Sequence, residues 1–108
     1  SGISNDGGRC EMLEKFLEQK LVRRVKAAGG LCLKWSSPGA AGVPDRIVLL
    51  PGGRVIFVEM KRPKGGRRSA LQKWWASELI ALNFRYWCIW NERDLQEFVN
   101  YELGGNDE

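Results

Sequence analysis

The sequence has 108 residues, of which 44% are hydrophobic and 28% are charged, and this composition is typical of a single globular domain over residues 1–108. The absence of histidine excludes Ser-His-Asp and Cys-His catalysis, His-ligated zinc and nucleases with a histidine base. A formal net charge of +4 favours a polyanionic partner. Three widely spaced cysteines and the lack of a membrane-length apolar run indicate a reducing, cytoplasmic environment without a membrane partner.

The first predicted element is a helix from about Glu11 to Ala28, ended by Gly29 and Gly30. Residues 1–9 are rich in Gly, Asn and Ser, so we expect them to be frayed and the ordered core to span about 11–101. Glu14 and Glu18 fall inside the apolar stripe of this helix. A glutamate there must be solvated, paired or ligating, which makes Glu18 a candidate site residue. Glu14 is a weaker candidate, because an acid near a helix N-terminus also complements the helix dipole.

Four strands and two further helices follow along the chain. The strands are predicted at Leu31–Trp35, Arg46–Leu50, Arg54–Lys61 and Arg85–Trp90, and the helices at Ser69–Leu82 and from Asn91 to about Tyr101. The order α-β-β-β-α-β-α predicts an α/β domain whose mixed central sheet is flanked by helices.

The hairpin around Pro51-Gly52-Gly53 brings charged residues together. If these three residues form the loop, Leu50 pairs with Arg54 and Asp45 lies directly opposite Glu59; a two-residue loop would place the acids on a diagonal. Strand alternation puts Glu59 and Lys61 on one face. Facing carboxylates repel unless a cation neutralises them, so the pattern favours a Mg²⁺ or Mn²⁺ site. The alternative is a surface salt bridge from Lys61 to either acid.

The stretch GVPDRIVLLPGGRVIFVEMKRP, residues 42–63, resembles the core of a PD-(D/E)XK nuclease. Further marks are a glutamate on the first helix, AGG before a strand, the run K-x-x-S-P-G-x-x-G-V-P-D and a glutamine that opens the next helix. With these marks the chain resembles the stand-alone, phage-type VRR-NUC proteins, from roughly Glu11 to Val99.

The resemblance implies a role for each matching residue. The implied metal-binding residues are Asp45, Glu59, the backbone carbonyl of Met60, and Glu18 as the acid of the first helix. Lys61 would orient or activate the attacking water and stabilise charge on the phosphate. Gln72 matches a glutamine near the family's site, although Ser69-Ala70-Leu71-Gln72 also has the pattern of a capping box.

Basic residues around the hairpin are candidates for nucleic-acid binding. A run of positive charges begins at the end of the E-x-K strand and continues into the following loop: Lys61, Arg62, Lys64, Arg67 and Arg68. Such residues give salt-sensitive affinity for phosphates, whereas the alternative is a solvated loop. Lys34 and Arg46 would extend the same surface.

Together these features predict a metal-dependent, structure-specific DNA endonuclease of bacterial or phage origin that needs Mg²⁺ or Mn²⁺ and no organic cofactor. The resemblance implies a homodimer that resolves four-way (Holliday) junctions in DNA repair, and the helix face that holds Trp74 is a candidate dimer surface. One alternative is a flap or single-strand nuclease that acts as a monomer or with a replication or repair partner. Another is a DNA-binding module without catalysis.

Overall fold

The computed structural model describes residues 2–61 and 69–104, with side chains from Leu13 onward. Within these ranges the elements are α1 (Gly2–Ala27), β1 (Leu31–Lys34), β2 (Arg46–Leu50), β3 (Arg54–Met60), α2 (Ala70–Ala81), β4 (Arg85–Ile89) and α3 (Glu92–Glu102). The predicted order α-β-β-β-α-β-α is confirmed. None of the described helices is both long enough and apolar enough to cross a membrane.

Helix α1 is longer than the sequence predicts. It begins at Gly2, whereas the predicted start is near Glu11 and residues 1–9 are expected to be frayed. Once a helix is nucleated, each further residue adds a hydrogen bond, so the helix can propagate through weak helix formers such as Gly7 and Gly8. The predicted C-terminal stop is confirmed, because Gly29 has a φ of 85° and the Gly30 amide donates to the Val25 carbonyl at 3.0 Å.

The four described strands form one sheet in the order β1-β2-β3-β4. The first three are antiparallel, and β4 lies parallel to β3 after the crossover through α2. Leu50 pairs with Arg54 and Val48 with Ile56, which confirms the register expected from a three-residue loop. Arg46 and Val58 are the last pair of this ladder, so Asp45 lies one residue before the paired part of β2.

Helices cover both faces of the sheet. Helices α1 and α3 pack on one face, and the core there contains Leu17, Leu21, Val25, Val48, Leu50, Ile56, Val58, Met60, Ile89, Leu95, Phe98 and Val99. Because strand side chains alternate, Phe57 and Glu59 point to the other face, which α2 approaches. The Phe57 ring lies between Trp35 and Phe84, at centroid distances of 5.5 and 5.3 Å. This arrangement aims Glu59 at the first turn of α2.

Candidate active site at the end of the β2–β3 hairpin

Asp45 lies where three strands meet, at the end of the hairpin away from the Pro51 turn. Its carbonyl accepts a hydrogen bond from the Trp35 amide at 3.0 Å, which ties it to the end of β1. Its Oδ2 accepts from the Met60 amide at 2.8 Å, which ties it to the end of β3. Pro44, the preceding residue, is fully buried. Asp45 is therefore held by its backbone and by its carboxylate.

The pKa of the Asp45 carboxyl depends on its burial and on the charges near it. Burial is the largest influence and raises the pKa of the Asp45 carboxyl above its ordinary value, against the lowering effect of the Met60 amide. The negative charge of Glu18 raises this pKa further, while Lys61 and Lys34 lower it. The net pKa is raised, so the ionised carboxylate is disfavoured by its site and a nearby cation would stabilise it.

Glu59 is a buried carboxylate near the end of β3, with 1% of its surface exposed. Its Oε2 accepts a short hydrogen bond from Nε2 of Gln72 at 2.6 Å and lies 3.9 Å from Nζ of Lys61. Its other oxygen, Oε1, is buried and accepts no hydrogen bond from the described residues. Burial of an ionised group is costly unless it has charged or polar neighbours, and here Gln72 and Lys61 supply them.

Gln72 both caps α2 and contacts the acidic site. Its backbone amide donates to Ser69 Oγ at 3.1 Å, and its Oε1 accepts from the Ser69 amide at 2.8 Å, which completes a capping box. The same Oε1 accepts from Nζ of Lys61 at 3.0 Å, while Nε2 donates to Glu59. One side-chain amide thus joins the N-terminus of α2, Glu59 and Lys61.

Glu18 reaches the site region from the other face of the sheet. Its Oε2 accepts a hydrogen bond from Nε of Arg46 at 2.7 Å, and both side chains are mostly buried. Arg46 also donates to the Cys32 carbonyl at 3.3 Å, so its guanidinium is engaged within the protein. Among the described residues no group of three or more His, Cys, Asp or Glu is placed to hold a metal ion. Glu18 is close enough to Asp45 to affect its pKa, but its carboxylate is paired with Arg46.

Some of the remaining predicted site residues lie within the described ranges and others lie outside them. Lys34 is exposed at the end of β1, and Glu14 is half-buried one turn before Glu18. The backbone of Met60 ends β3 beside Ile89 of β4. Four predicted nucleic-acid contacts lie outside the described residues: Arg62, Lys64, Arg67 and Arg68.

Two contacts beside the site were not predicted from the sequence. Nε1 of Trp75 donates to the Ala41 carbonyl at 3.1 Å. Gly42, with a φ of 84°, lies so close to α2 that a Cβ added to it would be 2.7 Å from Cβ of Leu71. The glycine directly before V-P-D is the sequence signal that could have indicated this close approach.

No family model matches the sequence. A solved structure described as a VRR-NUC domain has a TM-score of 0.77 to this protein, covering 82% of this chain and 96% of that chain at 24% sequence identity. The chain has the VRR-NUC fold. The resemblance that the sequence motifs indicate is thereby confirmed at the level of the fold.

A phage protein is similar to this chain in part of its sequence. It comes from Acyrthosiphon pisum secondary endosymbiont phage 1, is named "Putative nuclease p44", and is 52% identical over 50 residues. The match includes 46% of this chain and 54% of the relative, so the chain spans about half the length of the curated relative it matches.

Proposed function

We propose that this protein is a nuclease that hydrolyses phosphodiester bonds in DNA with the help of Mg²⁺ or Mn²⁺. The observation that carries the proposal is the grouping of the Asp45 carboxylate, the Glu59 carboxylate and the Lys61 ammonium at one end of the hairpin. The VRR-NUC fold and the nuclease name of the phage relative support the same activity.

The donor set fits a hard divalent cation. Asp45 and Glu59 offer carboxylate oxygens, and the Met60 carbonyl is a further candidate ligand. Mg²⁺ is commonly held by one or two carboxylates together with substrate phosphates, so a third acidic ligand is not required. Glu18 is a less available ligand, because its Oε2 already accepts a hydrogen bond from Arg46. When bound, such a cation lowers the pKa of a water and neutralises charge on the phosphate.

Lys61 and Gln72 have distinct roles in this proposal. The ammonium of Lys61 places positive charge where the phosphate gains negative charge, which lowers the barrier. It is also the group that would hold the attacking water. Gln72 fixes the orientation of the pair, because its amide donates to Glu59 and accepts from Lys61 at 2.6 and 3.0 Å.

We further propose that the substrate is branched DNA and that the enzyme resolves four-way junctions as a homodimer, in the cytoplasm and during DNA repair. A homodimer has the two-fold symmetry that such a junction offers. Leu71 and Trp74 are large apolar residues of α2 that are 51% and 52% exposed, which supports this helix as the contact between two copies.

The direct test is incubation with labelled linear, flap and four-way DNA, with Mg²⁺, with Mn²⁺ and with a chelator. We expect metal-dependent cleavage of the four-way substrate. In Asp45→Asn and Lys61→Ala the cleavage rate should fall by at least about 100-fold while junction binding persists, because only the transition-state contacts are lost.

Glu97→Gln is the matched control, since Glu97 is an exposed acid on α3, and its cleavage rate should match that of the wild type. Full activity in either site variant, or cleavage that is indifferent to the chelator, would contradict the assignment. Cleavage of flaps by a monomer would replace the junction and dimer proposals but leave the nuclease proposal standing.

The dimer is tested by sedimentation of Trp74→Glu against Ile80→Glu. Both residues are more than half exposed on α2, but six positions separate them, which places them about 120° apart around the helix. We expect Trp74→Glu to sediment as a monomer and Ile80→Glu as a dimer. Two variants that remain dimeric would show that the copies meet elsewhere.

A further inference from the structure

The loop that leads from β1 to Asp45 is fastened to helix α2 at two adjacent residues. The indole Nε1 of Trp75 donates to the Ala41 carbonyl at 3.1 Å. At the next residue, Gly42, the absence of a side chain lets the loop backbone approach the first turn of α2. A Cβ at Gly42 would lie 2.7 Å from Cβ of Leu71 and 3.1 Å from the backbone nitrogen of Gln72.

Both sides of this contact continue directly into the candidate active site. On the loop side, Gly42 is three residues before Asp45, and the intervening Pro44 is buried. On the helix side, Gln72 contacts Glu59 and Lys61 through its amide. Gly42 therefore lies between the segment that carries Asp45 and the helical turn that carries Gln72.

The Trp75 ring adds a second connection between the same parts. It packs edge-on against Trp35 at a centroid distance of 5.8 Å, and Trp35 packs against Phe57 at 5.5 Å. The Trp35 amide also donates to the Asp45 carbonyl at 3.0 Å. Trp75 thus links α2 to the backbone of Asp45 and to β3 two residues before Glu59.

We infer that Gly42 and Trp75 are positioning residues of this site: they hold the first turn of α2 where Gln72 can join Glu59 to Lys61. The inference rests on the proposed nuclease function and assigns neither residue a contact with DNA. A side chain at Gly42 pushes Leu71 and Gln72 outward, and the short contacts of the Gln72 amide are lost.

The test compares Gly42→Ala with Gly52→Ala. The two glycines have φ values of 84° and 85°, so alanine meets a similar backbone strain at both, but no described residue lies within 4 Å of a Cβ at Gly52. We expect junction cleavage to fall at least about tenfold in Gly42→Ala, with DNA affinity within about twofold of wild type. Gly52→Ala should cleave at the wild-type rate. Equal rates in the two variants would overturn the inference.

A double-mutant cycle identifies the residue through which Gly42 acts. If Gly42 acts through Gln72, the Gly42→Ala change lowers cleavage by less than about threefold in a Gln72→Ala background, because the contact it serves is already gone. If the losses in cleavage rate from Gly42→Ala and Gln72→Ala multiply in the double variant, Gly42 does not act through Gln72. Trp75→Phe, which removes the N–H donor but keeps a ring, should show the same dependence on Gln72. Its control is Trp87→Phe, which removes an indole donor to Glu102 and not to the loop before Asp45.

A structural readout keeps the inference separate from the activity. The side-chain amide resonances of Gln72 in a nitrogen-15 spectrum should shift and exchange faster with solvent in Gly42→Ala, but not in Gly52→Ala. Wild-type protein without metal-dependent cleavage would refute the proposed function, and this spectrum would still test the positioning. Unchanged Gln72 resonances in Gly42→Ala would refute the positioning even if the wild type is a nuclease.

Discussion

The side chain of Gln72 makes two sets of contacts, and the sequence alone does not distinguish between them. The pattern S-x-x-Q predicts a helix cap, and the resemblance to the VRR-NUC proteins implies a contact with the site. The amide can satisfy both because its oxygen accepts from the Ser69 amide and from Lys61, while its nitrogen donates to Glu59. A carboxamide has enough donors and acceptors for this, whereas a glutamate would bring a further negative charge beside Glu59.

Glu102 is another residue whose environment depends on the tertiary structure. It ends α3 and is 3% exposed, and its carboxylate accepts hydrogen bonds from Nε of Arg85 and, at 2.7 Å, from Nε1 of Trp87. Arg54 adds a contact at 3.4 Å from the start of β3. A buried carboxylate with these partners joins α3 to two strands.

We predict that Glu102→Gln lowers the free energy of unfolding by about 2 kcal/mol, because hydrogen bonds to a charged acceptor are replaced by weaker ones. The measurement is urea denaturation. Glu97→Gln on the same helix is the control: that side chain is 58% exposed and 3.7 Å from Arg93, so its loss should change stability by less than about 0.5 kcal/mol. Equal losses in the two variants would contradict a structural role for Glu102.

At the scale of elements, the turn between α1 and β1 depends on close packing. The position of a Cβ at Gly30 lies 2.4 Å from the Leu49 carbonyl oxygen and 2.7 Å from Cδ2 of Leu50. The end of α1 therefore rests directly on the backbone of β2. The sequence predicts a glycine stop at this point, but it does not reveal that the second glycine is required by contact with a neighbouring strand.

Gly30→Ala should lower the free energy of unfolding by about 1 to 3 kcal/mol, since the added methyl group must displace β2 or α1. Gly39→Ala provides the comparison, because within the described part of the chain nothing lies within 4 Å of a Cβ there. Its stability should be unchanged or slightly raised through a less flexible unfolded chain. The measurement is thermal unfolding of both variants. If Gly30→Ala is as stable as the wild type, the turn between α1 and β1 can accommodate the methyl group.

At the scale of the whole molecule, the charged residues of the candidate site share one end of the hairpin. Asp45, Glu59 and Lys61 lie there, and the basic run from Lys61 to Arg68 follows directly in the sequence. The exposed basic residues Arg23 and Lys26 belong to the C-terminal part of α1, and Gly29 directly after this helix approaches Pro51 at the other end of the hairpin. If the proposed function is right, a nucleic acid positioned for cleavage contacts the basic run from Lys61 to Arg68 and does not contact Arg23 or Lys26.

We predict that replacing Arg67 and Arg68 by alanine reduces the slope of log affinity against log salt by roughly 1.8, the value for two lost phosphate contacts. Fluorescence anisotropy with a labelled junction at several salt concentrations measures the slope. The pair Arg23→Ala and Lys26→Ala removes the same charge and should leave the slope nearly unchanged. An equal reduction in both pairs would mean that only net charge matters.

Local signals in the sequence determined the strand register of the hairpin and the buried side of the first helix. The Pro51-Gly52-Gly53 turn and strand alternation are properties of neighbouring residues, so the hairpin register and the end shared by Asp45 and Glu59 could be predicted from them. Helical periodicity likewise identified the buried side of α1. The start of α1 could not be predicted in this way, because propagation through Gly7 and Gly8 depends on the helix that follows them.

Only the tertiary structure decided which of these charged residues contact one another. Glu18 pairs with Arg46 on one face of the sheet, Gln72 reaches Glu59 on the other, and Glu102 is buried among residues of two strands. These contacts join segments that are far apart in the sequence. Their geometry is set by how α1, α2 and α3 pack on the sheet, and that packing leaves no local pattern from which the partners could be read.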